Sequence, residues 1–280
     1  MIGPTDSTKY EDLNLKNNKM KISVITINYK TPKLTTECID SIFEHSEGVD
    51  FEIILVDNGS GSESKKYFQE KLHPRPNLKI IYSPNNLGFG GGNNLGAANA
   101  TGELLFFLNN DTFFFENSLK ILHDEFLEKS KKTKLGILQP RLYLNQERTI
   151  VQKTCSKTPK TREAPLVTIP TLRKIFKSKN QKFYLTNRDR NSDREVEVVC
   201  GAAMLIKTNT FEEIGKFDER FFLYFEEFDL AKRLNLKNYK SFYTTKTSII
   251  HFENQTPKIT RKKKLMSLKS LQEFIKKYAQ

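Results

Sequence analysis

The sequence predicts an α/β protein with a mostly parallel central sheet and helices on both faces. Three observations predict it. Short runs of β-branched and apolar residues alternate with helix-length amphipathic segments through the first half of the chain. Glycine, proline and asparagine punctuate the junctions. Polar clusters containing Asn or Asp fall at the ends of three of the apolar runs, where open parallel sheets place their ligands.

Residues 21–29 (KISVITINY) form the first buried strand, and Pro32 starts the turn into a helix over 34–45, where Cys38, Ile39, Ile42 and Phe43 share a side. Residues 51–56 (FEIILV) are the second strand, ending in Asp57-Asn58-Gly59-Ser60. A helix over 62–72 closes at His73-Pro74, and 78–82 is a short third strand. A Gly/Asn-rich turn over 85–96 opens a helix reaching about Ala100, and 103–108 (ELLFFL) is a fourth strand ending in Asn109-Asn110-Asp111. A helix follows over 117–129.

The stretch 157–194 differs in character: it carries a formal charge of +8 and three prolines, and reads as a partly mobile basic loop or lid with a short helix near 171–177. Order returns in a strand over 196–206, a short helix over 211–214, a helix over 226–236, and two short strands over 241–244 and 248–251. Residues 259–280 predict a basic amphipathic helix with Leu265, Leu268, Leu271, Phe274, Ile275 and Tyr278 on one side. Residues 1–20 are polar, lack a secretory signal and are expected to form a tail outside a single domain spanning 21–258.

The 280 residues carry a formal charge of +13, which suits phosphate-bearing partners without choosing among them. The basic residues gather in a loop and a tail without a nucleic-acid reading motif, so no nucleic-acid partner is expected. Cys38, Cys155 and Cys200 have no metal-site spacing, and a reducing, cytoplasmic setting follows. No run is long and apolar enough to span a bilayer.

Each polar cluster offers chemistry. Asp57, at a strand end, either caps the turn before Ser62 or accepts hydrogen bonds from a nucleobase or ribose. The run Asn86-Leu87-Gly88-Phe89-Gly90-Gly91-Gly92-Asn93-Asn94 follows the third strand and lacks a phosphate-loop lysine, which argues against both a dinucleotide fingerprint and a P-loop. Its glycines either shape a tight turn or let backbone amides approach a diphosphate. Asp111 ends an apolar strand and can bind a hard divalent ion completed by substrate phosphates. Glu226, Glu227 and Asp229 concentrate acids among aromatic rings, which suits a general base and equally suits an acidic helix start. His251 closes a short apolar strand as a structural residue or a ligand.

Taken together, VITINYKT (24–31), ILVDNGSGSES (54–64), NNLGFGGGNNLGAANATGELLFFLNND (85–111), the stretch 201–234 and SIIH (248–251) resemble glycosyltransferase family 2, in particular its bacterial rhamnosyltransferase-like branch. The resemblance implies a GT-A fold, a nucleoside-diphosphate sugar donor (dTDP- or UDP-linked), inversion at the anomeric carbon and a Mg²⁺ or Mn²⁺ cofactor. It implies nucleotide-sugar contacts from Asn28, Tyr29, Asp57, Asn86, Gly88, Asn94, Asn110 and Asp229, metal ligation by Asp111 and His251, and a base at Glu227 with Glu226 beside it. The acceptor would be a glycan or a polyprenyl-diphosphate-linked sugar at the inner membrane face, where the basic helix could dock peripherally. Two features depart from the family pattern: the metal motif holds one carboxylate where relatives often read Asn-Pro-Asp, and the base position is Glu in place of Asp. A nucleotidyltransferase would need a glycine-rich basic loop after the first strand, and residues 26–33 do not supply one.

Overall fold

A computed structural model describes residues 20–72, 74–185, 189–253 and 261–279. The expected tail lies outside the described residues except for Met20, which is buried in the core and belongs to the domain. Residues 254–260 also lie outside them.

The first half follows the predicted alternation. Strand β1 (Ile22–Asn28), helix α1 (Pro32–Glu44), β2 (Phe51–Asn58), α2 (Ser62–Lys71), β3 (Leu78–Ser83), α3 (Gly88–Ala97), β4 (Leu104–Leu108), the two-residue β5 (Thr112–Phe113) and α4 (Ser118–Ser130) come in that order. β1 and β4 are apolar on both faces because helices cover both, and every residue of β4 is buried.

The second half is β6 (Leu135–Tyr143), α5 (Ala164–Thr168), α6 (Pro170–Ile175), α7 (Lys177–Phe183), β7 (Arg194–Val196), β8 (Ala203–Lys207), α8 (Thr208–Glu213), α9 (Glu226–Leu236), β9 (Lys240–His251) and α10 (Arg261–Tyr278). Among the described residues one sheet runs β3-β2-β1-β4-β8-β6-β9-β5, with β7 added on β9. β1 to β4 are mutually parallel, as are β6 and β9, while β8 runs against both β4 and β6.

Four expectations are corrected here. The strand expected over 196–206 is two, β7 and β8, because the chain leaves the sheet around Gly201. The two strands expected at 241–244 and 248–251 are one long strand whose irregularity sits opposite Pro140/Arg141. β6 went unpredicted. The basic stretch 157–194 contains three short helices.

Reversal of β8 positions the site. Its first residue pairs with the last residue of β4 (Ala203 with Leu108), so the segment entering β8 lies beside Asn109–Asp111. Asn109 seals this contact by donating its amide to the Ala202 carbonyl at 2.9 Å. At the far side, β5 pairs antiparallel with β9, matching Thr112 to His251.

Two apolar layers sandwich the sheet, one packed under α1 and α4, the other under α3 and α8. α3 lies very close to the sheet because its glycines permit it: a Cβ at Gly96 would collide with Ile25, and one at Gly92 would stand 2.9 Å from Ile27. A third cluster joins Phe183 of α7, Phe221, Phe225, Phe228 and Leu271 and Phe274 of α10. Each such side chain contributes roughly 1.5–3 kcal/mol on burial.

Candidate active site

Asn28 ends β1, directly opposite Asp57 at the end of β2. Its amide nitrogen donates to Asp57 Oδ1 at 2.7 Å, Ser64 Oγ at 2.8 Å and Ser60 Oγ at 3.1 Å. Its carbonyl accepts from the Thr31 amide and the Thr35 hydroxyl. Asn28 is fully buried, so the pocket-lining role expected of it is corrected: it ties two strand ends to two helix starts and holds Asp57 in place. Among the described residues Asp57 Oδ2 has no hydrogen-bond partner, and Ser64 donates to its Oδ1. Two tyrosines flank this corner in the open, Tyr29 at 44% exposure and Tyr82 at 36%. Tyr82 is paired with Asp57 across β2 and β3. Burial and the Asp57 carboxylate both raise its phenol. Sequence reasoning missed Tyr82 because nothing in a short third strand marks which tyrosine stands beside the acid.

Three amides of the glycine-rich run are engaged within the fold. Leu87 donates to Asn58 Oδ1, Gly88 to Asn86 Oδ1, and Phe89 to the Phe222 carbonyl. The Gly88 amide, expected to approach a diphosphate, is spent on Asn86 within a docking turn. Gly88 has φ +75°, and a Cβ there would run into the Phe222 carbonyl. Asn86 spends its carbonyl on Gly88 and Asn58. Asn94 is corrected likewise: it brackets Phe217, accepting from the amide and donating to the carbonyl, and it also donates to Glu219. These contacts fasten α3 to the segment leading into α9.

At the end of β4, Asn110 turns inward and donates to the hydroxyls of Thr31 and Thr35. Asp111 turns the other way and meets His251, with Nε2 3.2 Å from Oδ1. The Asp111 carbonyl also accepts from the Phe252 amide at 2.8 Å, which fixes the two segments together. His251 Nδ1 lies 2.8 Å from Gln152 Oε1. A carboxamide oxygen can only accept, so Nδ1 carries the proton, and Nε2 points at Asp111 and at Asn109 Nδ2 3.4 Å away. Gln152 comes from a turn after β6, where the 143–151 bridge folds the chain back beside β9. No sequence signal marks it, because its neighbourhood has no periodicity.

The acid pair opens α9 after an unusual turn. Tyr224 and Phe225 have φ of +72° and +76°, a region costly for residues with side chains. Phe225 is buried, whereas Tyr224 is 40% exposed. Glu226 is buried and its Oε1 has no hydrogen-bond partner among the described residues. Burial first and the Glu227 charge second push its carboxyl well above the usual range, and burial raises Glu227 too. Glu227 is the more open of the two. Burial pushes the Cys200 thiol up to about 12, and Glu227 and Glu253 push the same way. Cys200 is two residues from Ala202, the partner of Asn109, and Glu253 is two residues beyond His251. Glu227 and Glu253 therefore both lie near enough to Cys200 to act on its thiol.

Asp229 turns into the interior. It is wholly buried, with Oδ2 held by Arg233 and Oδ1 by Lys277 and Tyr278, so its expected sugar contact is corrected to an internal role.

Asp111 supplies a hard carboxylate oxygen, and His251 an imidazole nitrogen oriented by Gln152. This set fits a Mg²⁺ or Mn²⁺ whose other positions come from phosphate oxygens and water. Among the described residues no group of three or more His, Cys, Asp or Glu converges, so the protein alone would supply a partial coordination sphere.

The family model for glycosyl transferase family 2 matches residues 23–215. A low-salt glycan biosynthesis hexosyltransferase of Haloferax volcanii is 28% identical over 221 residues, covering 78% of this chain and 62% of that protein. An O-antigen biosynthesis protein of Myxococcus xanthus is 27% identical over 84% of this chain and 17% of its own length. The chain thus spans less than two thirds of either relative. An N-acetylglucosaminyl-diphospho-decaprenol L-rhamnosyltransferase of Mycobacterium tuberculosis is 34% identical over 68 residues, 24% of this chain and 22% of that protein. Among solved structures, a mannosyltransferase from Pyrobaculum calidifontis in complex with GDP-Man and Mn²⁺ aligns with TM-score 0.58 at 14% identity, over 89% of this chain and 65% of that one. GalNAc-T7 with UDP, GalNAc and Mn²⁺ aligns with TM-score 0.61 at 15% identity, over 84% and 44%. At such identities the likeness speaks for the fold alone, and it is the GT-A fold.

Proposed function

The chain belongs to glycosyl transferase family 2, and from that premise we propose that it is an inverting glycosyltransferase moving a sugar from a nucleoside-diphosphate donor to a hydroxyl of a growing cell-surface polysaccharide or lipid-linked glycan. The observation that carries this reading is the meeting of Asp111, at the end of β4, with His251, at the end of β9. The relatives' names support glycan biosynthesis, and the short rhamnosyltransferase match supports rhamnose as the first donor to try.

In this reading the nucleoside lies against Tyr29 and Tyr82, with Asp57 Oδ2 accepting from the base or ribose. Asp111 and His251 would hold a divalent cation, which when bound supplies positive charge to the diphosphate leaving group. Asn110 and Asn28 keep the strand ends rigid. Glu227 takes the proton from the acceptor hydroxyl as that oxygen attacks the anomeric carbon from the face opposite the departing diphosphate. The neighbouring Glu226, buried and pushed toward its neutral form, limits negative charge at the pair and leaves ionisation to Glu227. Tyr224 stands exposed beside the acids as a platform for the acceptor ring.

The acceptor proposed is a glycan or a polyprenyl-diphosphate-linked sugar at the inner face of the cytoplasmic membrane. None of the described helices is long and apolar enough to cross a membrane. The test is donor hydrolysis across dTDP-, UDP- and GDP-sugars with Mn²⁺ or Mg²⁺. Turnover of one donor supports the reading, and no binding or turnover of any nucleotide sugar overturns it.

A further inference from the structure

The C-terminal helix α10 is basic, which suggests a surface role, yet its contacts point inward. Leu271 and Phe274 are buried against Phe221, Phe225 and Phe228. The Phe274 ring lies 5.2 Å from that of Phe225 and 6.4 Å from that of Phe221, so it grips both sides of the left-handed turn that precedes the acid pair. Ser270 donates to the Leu223 carbonyl within that turn at 3.0 Å. Two turns beyond Ser270, Lys277 reaches Asp229 at 2.5 Å and Asp218 at 2.7 Å, and the Tyr278 hydroxyl donates to Asp229 at 2.6 Å. Lys232 of α9 sits 3.7 Å over the Tyr278 ring. These anchors converge on residues 218–232 from one helix.

The site needs such support. Two consecutive residues with positive φ are held against their own preference, and a carboxyl oxygen without a partner among the described residues is kept in the interior beside a second acid. Surrounding structure must impose that arrangement. α9 receives it from Asp229, whose Oδ2 is fixed by Arg233 within the helix and whose Oδ1 is fixed from α10.

We propose that helix α10 is a clamp on the acid pair, with Lys277 and Tyr278 as positioning residues that act through Asp229 to hold the first turn of α9 in the orientation transfer requires. The proposal rests on the transferase reading for its catalytic consequence and on contacts alone for its mechanical one. It also reassigns the C-terminal part of this helix's apolar stripe: Leu271 and Phe274 bind the domain, whereas Leu265 and Leu268 stay exposed.

The experiment compares Lys277→Gln, Lys277→Arg and Tyr278→Phe with the intact protein. It measures kcat and donor KM with the nucleotide sugar that turns over, thermal melting, and hydrogen–deuterium exchange. For Lys277→Gln, kcat falls roughly tenfold to a hundredfold. Donor KM stays within twofold, exchange quickens over 221–231, and strands 22–28 and 104–108 keep wild-type protection. Tyr278→Phe shows the same pattern more weakly, and Lys277→Arg retains most of the activity. The clamp is overturned if kcat and local exchange are unchanged in both Lys277→Gln and Tyr278→Phe. It is also overturned if protection falls equally in the strands and Lys277→Arg gives no rescue, since that marks general stability only. Should the intact protein turn over no nucleotide sugar, the transferase reading falls, and the exchange comparison still decides whether the clamp exists.

Discussion

His251 and Asp111, remote in the chain, come within 3.2 Å because the two-residue strand β5 pairs with the end of β9. Gln152 turns the imidazole so that Nε2 faces the carboxylate. An outer partner of this kind typically influences metal affinity by 10–100-fold. Gln152→Ala should weaken Mn²⁺-dependent donor binding by about that factor while leaving the melting temperature nearly unchanged. Calorimetric titration of Mn²⁺ in the presence of the nucleotide checks it.

Glu227 is argued to be the base. General base catalysis contributes about 10²–10⁴-fold. Glu227→Gln should lose turnover by that range while donor Kd stays within twofold. Steady-state transfer beside equilibrium donor binding separates the two, and a variant with normal turnover would remove Glu227 from the role.

Glu226 has a stability consequence with a definite sign. Its folded-state pKa is raised, so the folded protein favours the neutral form. Below the ordinary carboxylate range the group is neutral folded or unfolded and costs nothing. As pH rises through that range toward the folded value, ionisation penalises the folded state, and the penalty is complete above it. Glu226→Gln should therefore melt above wild type at pH 8 and level with it near pH 4. A gain of 1 kcal/mol corresponds to roughly 2–4 °C. Melting curves at the two pH values measure it.

The first half of the fold was legible in the sequence because β1 to β4 pair in parallel and read as apolar runs, whereas the two-residue β5, antiparallel to β9, carries no such signal. The second half was harder. β8 runs antiparallel inside the sheet, and β6 passes through Gly136 and Pro140, which mask its apolar character. At the site, strand ends exposed Asp57 and Asp111 as candidates, since an acid closing an apolar run has few structural uses. Asn28, Asn94 and Asp229 look equally polar in the sequence, but each is consumed by partners from distant segments, Ser64, Phe217 and Lys277 among them. Only the fold decides which polar residues face the cleft.

Gly88 illustrates the same point. Its positive φ and its contact with the Phe222 carbonyl serve packing of α3 on the turn before the acids. Gly88→Ala should destabilise the protein by about 1–3 kcal/mol. Chemical denaturation would register this as a lower midpoint at unchanged slope, and an unaltered midpoint would refute the packing role.

The most direct test of one shared cleft is titration of the intact protein and of Asp111→Asn with the preferred nucleoside-diphosphate sugar, each with and without Mn²⁺. If the cleft is as described, Mn²⁺ strengthens donor binding in the intact protein and has little effect in the variant. Equal enhancement of both by Mn²⁺, or donor binding indifferent to the ion in both, would contradict it.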